Sequence, residues 1–141
     1  MSAPVALSQI SYTAPGFDAA FMASLREYGF AAVVDHPLDD DRVARIYGEW
    51  LAFFSSGEAA SFRMDPVKQD GYFSLEEAEH AKGFVERDFK EYFQFYPWGR
   101  CPESLQADLA SHFAAAVDLG AELLNCIAGS LPEAVTAELT E

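Results

Sequence analysis

The sequence predicts an α+β fold that is rich in helix and contains three or four short strands. Apolar residues recur every three or four positions along three long segments, which is the spacing of one helix face. Shorter apolar or alternating runs between those segments are typical of strands. Half of the 141 residues are apolar and 14% are aromatic, a composition far too apolar for a disordered chain. The length fits one domain, which we expect to span residues 1–141.

The first part of the chain predicts a strand, a helix and a second strand. Residues 9–12 alternate in polarity as a short edge strand does. A helix begins at Phe17 and ends at Gly29, where a left-handed residue costs little. Residues 30–34 form a short continuous apolar run, which predicts a buried strand. The apolar stripe of the helix consists of Phe17, Phe21, Leu25 and Tyr28.

The middle of the chain predicts a second helix followed by irregular structure. Asp39 and the two acids after it supply an N-cap and place negative charge where the helix dipole favours it. Residues 55–57 stop this helix, and a short extra turn is expected at 57–60. Loop and strand fragments are expected over 63–75, and one or two helical turns over 76–82. The stripe of the helix comprises Val43, Ile46, Trp50 and Phe53 or Phe54.

The last third predicts an aromatic strand and a long helix. Residues 89–96 place Phe89, Phe93 and Phe95 on one face and Tyr92 and Tyr96 on the other. Such a strand is covered on both sides, or has one side awaiting a partner. Pro102 suits the first turn of a helix, which is expected to end near Gly129. Its stripe runs through Leu105, Leu109, Phe113, Val117, Gly120, Leu124 and Ile127.

The charge balance excludes two classes of partner. The chain has 23 acidic residues against nine Lys and Arg, a net charge of −14, whereas nucleic-acid binders neutralise phosphates with clustered cations. We therefore expect neither nucleic acid nor an anionic membrane as a partner, and we interpret the acidic runs as solvated surface. No basic leader and no apolar run of membrane-spanning length is present. The sequence predicts a cytoplasmic protein with two reduced, partly buried cysteines, Cys101 and Cys126.

The residues alone show no active site. A 2-His-1-carboxylate iron site needs a His-x-Asp or His-x-Glu pair, but the residues two positions after His36, His80 and His112 are Leu, Lys and Ala. Zinc-ligand spacing, a nucleophile elbow and a phosphate-binding glycine loop are also missing. A thiol dyad of Cys101 or Cys126 with a distant His is conceivable. The histidines are otherwise interpreted as structural or exposed, and no catalytic or metal-binding residue is predicted.

Residues 21–54 contain, in order, a predicted helix that leads to Gly29-Phe30, a predicted buried strand, His36, and a predicted helix that ends in Phe53-Phe54. This order and spacing resemble the N-terminal segment of the isopenicillin-N-synthase-like oxygenases, in which a helix leads to Gly-Phe, a buried strand, a His and a helix that ends in Phe-Phe. The family has Gly after the His, where this chain has Pro37, so the local turn is expected to differ.

The resemblance continues to about residue 135 and begins near residue 10. Gly71-Tyr72 is similar to the family's Gly-Tyr, and residues 88–93 are similar to its Asp-x-Lys-Glu-x-Phe. The end of the long helix, residues 127–131, is similar to the helix before the catalytic core. The penicillin-forming members carry an Arg and a second Tyr at the substrate where this chain has Gln69 and Phe73. A peptide substrate of that kind is therefore not expected.

The resemblance implies a parent enzyme rather than an enzyme in this chain alone. The family continues into a jelly-roll core (a double-stranded β-helix) that holds Fe(II) through His-x-Asp and a distal His, and 2-oxoglutarate through Arg-x-Ser. None of these motifs occurs here. The chain is then the N-terminal structural part of an Fe(II)/2-oxoglutarate-dependent dioxygenase that acts on an unknown small molecule. Tyr72 and Phe73 would border its substrate mouth.

Two partners and one rival interpretation follow. The jelly-roll core, from the same gene or a separate chain, is the expected partner. Without it, the aromatic surface formed by Phe89, Tyr92, Phe93, Phe95, Tyr96 and Trp98 predicts either self-association, most simply as a two-fold dimer, or a marginally folded chain. The rival interpretation is an autonomous acidic binding or adaptor protein that has no metal chemistry.

Overall fold

The computed structural model describes residues 7–76 and 89–132. In these ranges it has three α-helices, one 3₁₀ helix and four strands of three residues each. The chain divides into two compact units, one formed by residues up to Leu38 and from Phe113 onward, and the other by Asp39–His112. The order is β1 (Gln9–Ser11), α1 (Phe17–Tyr28), β2 (Ala32–Val34), α2 (Asp40–Ser56), the 3₁₀ helix (Glu58–Phe62), β3 (Gly71–Phe73), β4 (Tyr92–Gln94) and α3 (Glu103–Gly129).

The first unit is a small β-α-β arrangement with the C-terminal part of α3. Strands β1 and β2 pair in parallel, with Ile10 opposite Val33. Gly29 ends α1 in the left-handed conformation (φ 80°) and its N–H donates to the Leu25 carbonyl, as the sequence predicts. Phe17, Phe21 and Met22 form the buried centre, against which pack Ile10, Tyr12, Leu25, Ala31, Val33, Leu123, Cys126 and Ile127.

Two predictions for the first unit are wrong in detail. Tyr28, the last residue of the predicted stripe, lies in the final turn of α1 and is exposed. The predicted strand begins too early, because Phe30 lies outside β2 and is also exposed. Its carbonyl accepts a hydrogen bond of 2.9 Å from the Ser24 hydroxyl of α1, so it completes the end of the helix instead of pairing with β1.

The second unit contains α2, the 3₁₀ helix, β3, β4 and the start of α3. Asp39 caps α2 as predicted, its carboxylate accepting from the Arg42 N–H at 3.0 Å. Gly57 ends α2 and leads into the predicted extra turn, which is the 3₁₀ helix. The buried centre consists of Ile46, Leu105 and Leu109, with Trp50, Phe95 and Cys101 packed against it.

A buried carboxylate fastens the segment before β3 to the segment before α3. Asp70 is 1% exposed, and its Oδ2 accepts from the Arg100 backbone N–H at 2.7 Å and lies 3.5 Å from the Arg100 Nε. The guanidinium also donates to the carbonyl oxygens of Arg63 (2.6 Å) and Asp70 (3.3 Å). A side chain at Gly71 would overlap the Phe62 carbonyl, and φ there is +108°, so only glycine fits this close approach without strain.

Three predictions for the rest of the chain differ from the structure. The aromatic strand is shorter than expected, because only Tyr92–Gln94 pairs, antiparallel with Gly71–Phe73. Phe89 is 94% exposed and does not belong to its predicted strand face. Of the α3 stripe, Leu105 and Leu109 are buried, but Phe113, Val117 and Leu124 are exposed.

The remaining expectations concern the helical turns and the membrane. The turns predicted for 76–82 lie outside the described residues, except for Glu76. None of the described helices is long and apolar enough to cross a membrane.

Candidate functional site

An open apolar groove of about 770 Å³ lies in the second unit beside α2. We call it the α2 groove. Helix α2 contributes one wall, β4 and the residues directly before and after it contribute another, and one residue comes from α3. Its lining consists of Ile46, Tyr47, Trp50, Leu51, Phe54, Glu91, Tyr92, Phe93, Phe95 and Leu109.

The groove exists because α2 has apolar residues on more than one side. Ile46 and Phe53 face the interior and are buried, whereas Tyr47 and Leu51 are 74% and 71% exposed. Tyr47, Leu51 and Phe54 follow the spacing of four and three and therefore share a second stripe, next to the buried one. Side chains of one helix thus pack the interior and also line an open surface.

Aromatic side chains form the floor of the groove. Trp50 stands at the centre, with ring centroids 4.9 Å from Phe93, 5.5 Å from Phe53 and 5.7 Å from Phe54. Phe62 of the 3₁₀ helix packs edge-on to Phe53 at 5.6 Å. Edge-to-face and offset contacts of this kind fix ring orientations, so we expect the floor to be rigid.

Glu91 is the only described residue in the lining with a formal charge. The hydroxyl of Tyr72 donates to its Oε2 at 2.5 Å, which orients the carboxylate. Glu91 also lines a second, smaller cleft of about 370 Å³ together with Ala60, Arg63, Tyr72, Ser74, Leu75 and Glu76. Arg63 lies 3.5 Å from Glu76 in this cleft. The second cleft is therefore more polar than the α2 groove.

The side chains of the two residues predicted at the substrate mouth point to opposite faces of β3. Tyr72 lines the smaller cleft, and its ring centroid lies 6.1 Å from that of Phe54. Phe73 follows it in β3, so its side chain points to the opposite face, where it stacks on Tyr92 at 4.6 Å. Whether either residue meets a substrate stays a prediction.

The described residues offer no set of ligands that fits iron. No group of three His, Cys, Asp or Glu side chains that could hold a metal ion occurs among them. His36 and His112 are half-buried and His80 lies outside the described residues. The Nδ1 of His36 is buried and has no hydrogen-bond partner in the described part of the chain.

The cysteines do not form an activated thiol site. Cys101 and Cys126 are both free and half-buried, as the sequence predicts. Burial raises the pKa of the Cys101 thiol. Burial, with the Asp18 carboxylate 3.1 Å away, raises the pKa of Cys126. Both thiols are therefore protonated near neutral pH, where a nucleophilic cysteine needs a thiolate.

The α2 groove is not predicted from the sequence. The helical spacing places Trp50, with Phe53 or Phe54, in one apolar stripe of α2, and it assigns no role to Tyr47 and Leu51. The available signal was the second apolar stripe, one position round the helix from the first. A helix with apolar residues over such a wide arc is covered on more than one side in the finished protein.

Comparison with known proteins gives a match among the solved structures. No protein-family model and no curated protein matches the chain. A solved structure of a candidate oxygenase from Shewanella oneidensis matches 94% of the chain at 38% sequence identity with a TM-score of 0.81. The chain spans about half of that protein, 46% of its length. Over almost its whole length, the chain is therefore oxygenase-like in sequence and fold.

Proposed function

We propose that this chain is the structural N-terminal part of a non-haem Fe(II), 2-oxoglutarate-dependent oxygenase of the isopenicillin-N-synthase-like family. The observation that carries the proposal is the match to a candidate oxygenase over 94% of this chain but only 46% of that protein. The parent enzyme would oxidise a small molecule. Its iron and 2-oxoglutarate would be held by the jelly-roll core, outside this chain.

The surface of the described residues supports a structural role. The α2 groove has an aromatic floor beneath an open apolar wall. Large contiguous apolar surfaces of this kind mark sites of interaction.

Within this proposal, Tyr72 and Phe73 remain the residues of the substrate mouth. Tyr72 is the better placed, since it lines a cleft with Arg63 and Glu76. Replacing Tyr72 with Phe in the full enzyme removes only the hydroxyl that orients Glu91. We expect a raised KM with unchanged iron content, because the core holds the metal. A Phe73→Leu variant provides the comparison on the other face of the strand.

A second candidate function is an autonomous acidic binding protein. The α2 groove favours it as well, because a bare apolar surface on an acidic chain could receive a partner unrelated to iron. The gene sequence downstream of this chain distinguishes the two candidate functions. A reading frame that continues into His-x-Asp and Arg-x-Ser supports the oxygenase, and a stop codon with no jelly-roll gene nearby supports the binding protein.

The direct test is a full-length chimera, in which this chain replaces the matched segment of the Shewanella protein. We expect a monodisperse protein that unfolds cooperatively and binds about one equivalent of Fe(II) under anaerobic conditions. The isolated chain should bind no Fe(II) more tightly than about 10 μM, which corresponds to roughly 7 kcal/mol, because it lacks the ligands. An aggregated chimera, or stoichiometric iron on the isolated chain, would contradict the proposal.

A further inference from the structure

The α2 groove has a surface and a charge that specify what covers it. We infer that it receives the remaining part of the oxygenase chain, which presents an apolar ridge with a Lys or Arg at its edge that pairs with Glu91. This inference rests on the proposed function and adds the place and the chemistry of the contact.

The exposure of the groove calls for a cover. Tyr47 and Leu51 are largely exposed on the same helix whose Ile46 and Phe53 are buried. Beside them lie Trp50 and Phe93, so the apolar side chains form one continuous surface rather than scattered positions. Monomeric proteins rarely leave large contiguous apolar patches open to water, and larger ones mark interaction sites.

The charge of the groove decides the chemistry of the cover. Glu91 is its one formally charged lining residue, and the Tyr72 hydroxyl holds the carboxylate in place. Covering a carboxylate with an apolar surface is costly unless a cation comes with it. At the same rim, the Lys90 Nζ lies 5.5 Å from the centroid of the Tyr92 ring, so the incoming cation should approach Glu91 from the side of Tyr72.

The same charges disfavour a second copy of this chain as the cover. Each copy has 23 acidic residues against nine Lys and Arg, so a second copy would bring mostly like charge to Glu91. The length supports the other occupant, since the chain spans only 46% of the oxygenase it matches. About half of such a protein is therefore available to cover the groove.

The test compares one substitution in two settings. Leu51→Lys places a cation and a flexible chain in the groove, while Lys keeps the high helix propensity of Leu. Val67→Lys is the matched control, because Val67 is 92% exposed in the same unit and outside the groove. We expect Leu51→Lys to lower the melting temperature of the full-length chimera by roughly 6–12 °C. In the isolated chain both variants should stay within about 2 °C of the parent.

A second pair of variants tests the charge. Glu91→Gln removes the charge but keeps an oxygen that can accept from Tyr72, and Glu49→Gln removes a charge from an exposed position of α2. In the chimera we expect Glu91→Gln to lower the melting temperature by about 3 °C at low salt, because its ion pair is lost. Glu49→Gln should have no measurable effect. Salt screens this ion pair, so the difference in melting temperature between the parent and Glu91→Gln should shrink as salt approaches about 0.5 M.

The outcomes separate this inference from the proposed function. A chimera that folds and binds iron, but in which Leu51→Lys behaves like Val67→Lys, overturns the groove as the contact and leaves the oxygenase assignment intact. A chimera that fails to fold overturns both. Equal losses for Leu51→Lys in the chimera and the isolated chain would show that Leu51 supports its own unit, which also overturns the inference. A tight dimer of the isolated chain at low salt, dispersed by Leu51→Lys, would assign the groove to a second copy.

Discussion

At the scale of the residue, the buried carboxylate of Asp70 joins two segments that are far apart in the chain. Its carboxylate is almost inaccessible, and it holds both the backbone and the guanidinium of Arg100. Its other oxygen, Oδ1, is buried and has no hydrogen-bond partner in the described ranges. Nothing in the sequence distinguishes Asp70 from the other acidic residues, because its partner lies thirty positions away. Contacts of this kind depend on the folded chain and not on local pattern.

We predict that Asp70→Ala lowers the free energy of unfolding by about 2–4 kcal/mol, because it leaves the Arg100 N–H without its acceptor, removes the carboxylate beside the guanidinium and opens a small void. Urea denaturation of the reduced protein measures the change. Asp118→Ala, at an exposed position of α3, should change it by less than about 0.5 kcal/mol. A loss at Asp70 no larger than at Asp118 would mean that Arg100 finds other acceptors.

Asp108 gives a pH-dependent prediction at the same scale. Arg45 donates to both carboxylate oxygens, at 2.9 and 3.2 Å, and these bonds lower the pKa of Asp108. A lowered folded pKa stabilises the protein above the unfolded value, near 3.9, and this contribution disappears as the pH falls through the folded value. Asp108→Asn should therefore melt earlier than the parent at pH 7, and the difference in melting temperature should shrink as the pH is lowered through the acidic range. A gap that persists in acid would show that the pair acts through packing instead of charge.

At the scale of the helix and strand, local signals predicted helix boundaries well, but strand boundaries and burial poorly. Helix caps are local, because Asp39 begins α2 and Gly29 ends α1 through contacts within four residues. Burial is not local. The stripe of α3 is regular from Leu105 to Ile127, yet its middle is exposed, since periodicity shows which residues share a face and not what covers that face.

The N-cap of α2 can be tested on its own. Asp39→Ala removes the acceptor of the Arg42 N–H and should lower the free energy of unfolding by about 1 kcal/mol. Asp39→Asn retains a capping oxygen and should recover most of that loss. Thermal and urea unfolding at neutral pH measure both variants. If Asn is no better than Ala, the charge at the helix start contributes more than the capping bond.

At the scale of the whole molecule, the sequence resemblance located the oxygenase relationship, which the match to the Shewanella protein supports. It did not locate the α2 groove, because the groove is assembled from α2, β4 and α3, which are far apart in the chain. The family pattern also suggested Tyr72 and Phe73 as neighbours at one mouth. They lie on opposite faces of β3 because successive side chains of a strand alternate in direction. A sequence motif of two adjacent residues does not show this alternation.

The last prediction concerns the isolated chain, which lacks the proposed cover. Its exposed aromatic surface and α2 groove favour self-association, whereas a net charge of −14 on each copy opposes it. Salt screens that repulsion, with a Debye length of about 8 Å at physiological ionic strength, and leaves the attraction between apolar surfaces in place. Self-association through the groove should therefore be weak at low salt and strengthen as salt is added.

Sedimentation velocity at tens of micromolar, repeated from low to high salt with ANS fluorescence in parallel, tests this behaviour. We expect ANS to bind the exposed apolar surface throughout, and Leu51→Lys to reduce both ANS binding and the salt-induced dimer more than Val67→Lys does. The sign of the salt effect is informative, because a contact with a basic partner weakens under the same conditions. A monomer at every salt concentration that leaves ANS dark would show that the apolar faces are already covered, and would favour the autonomous acidic binding protein over the oxygenase half.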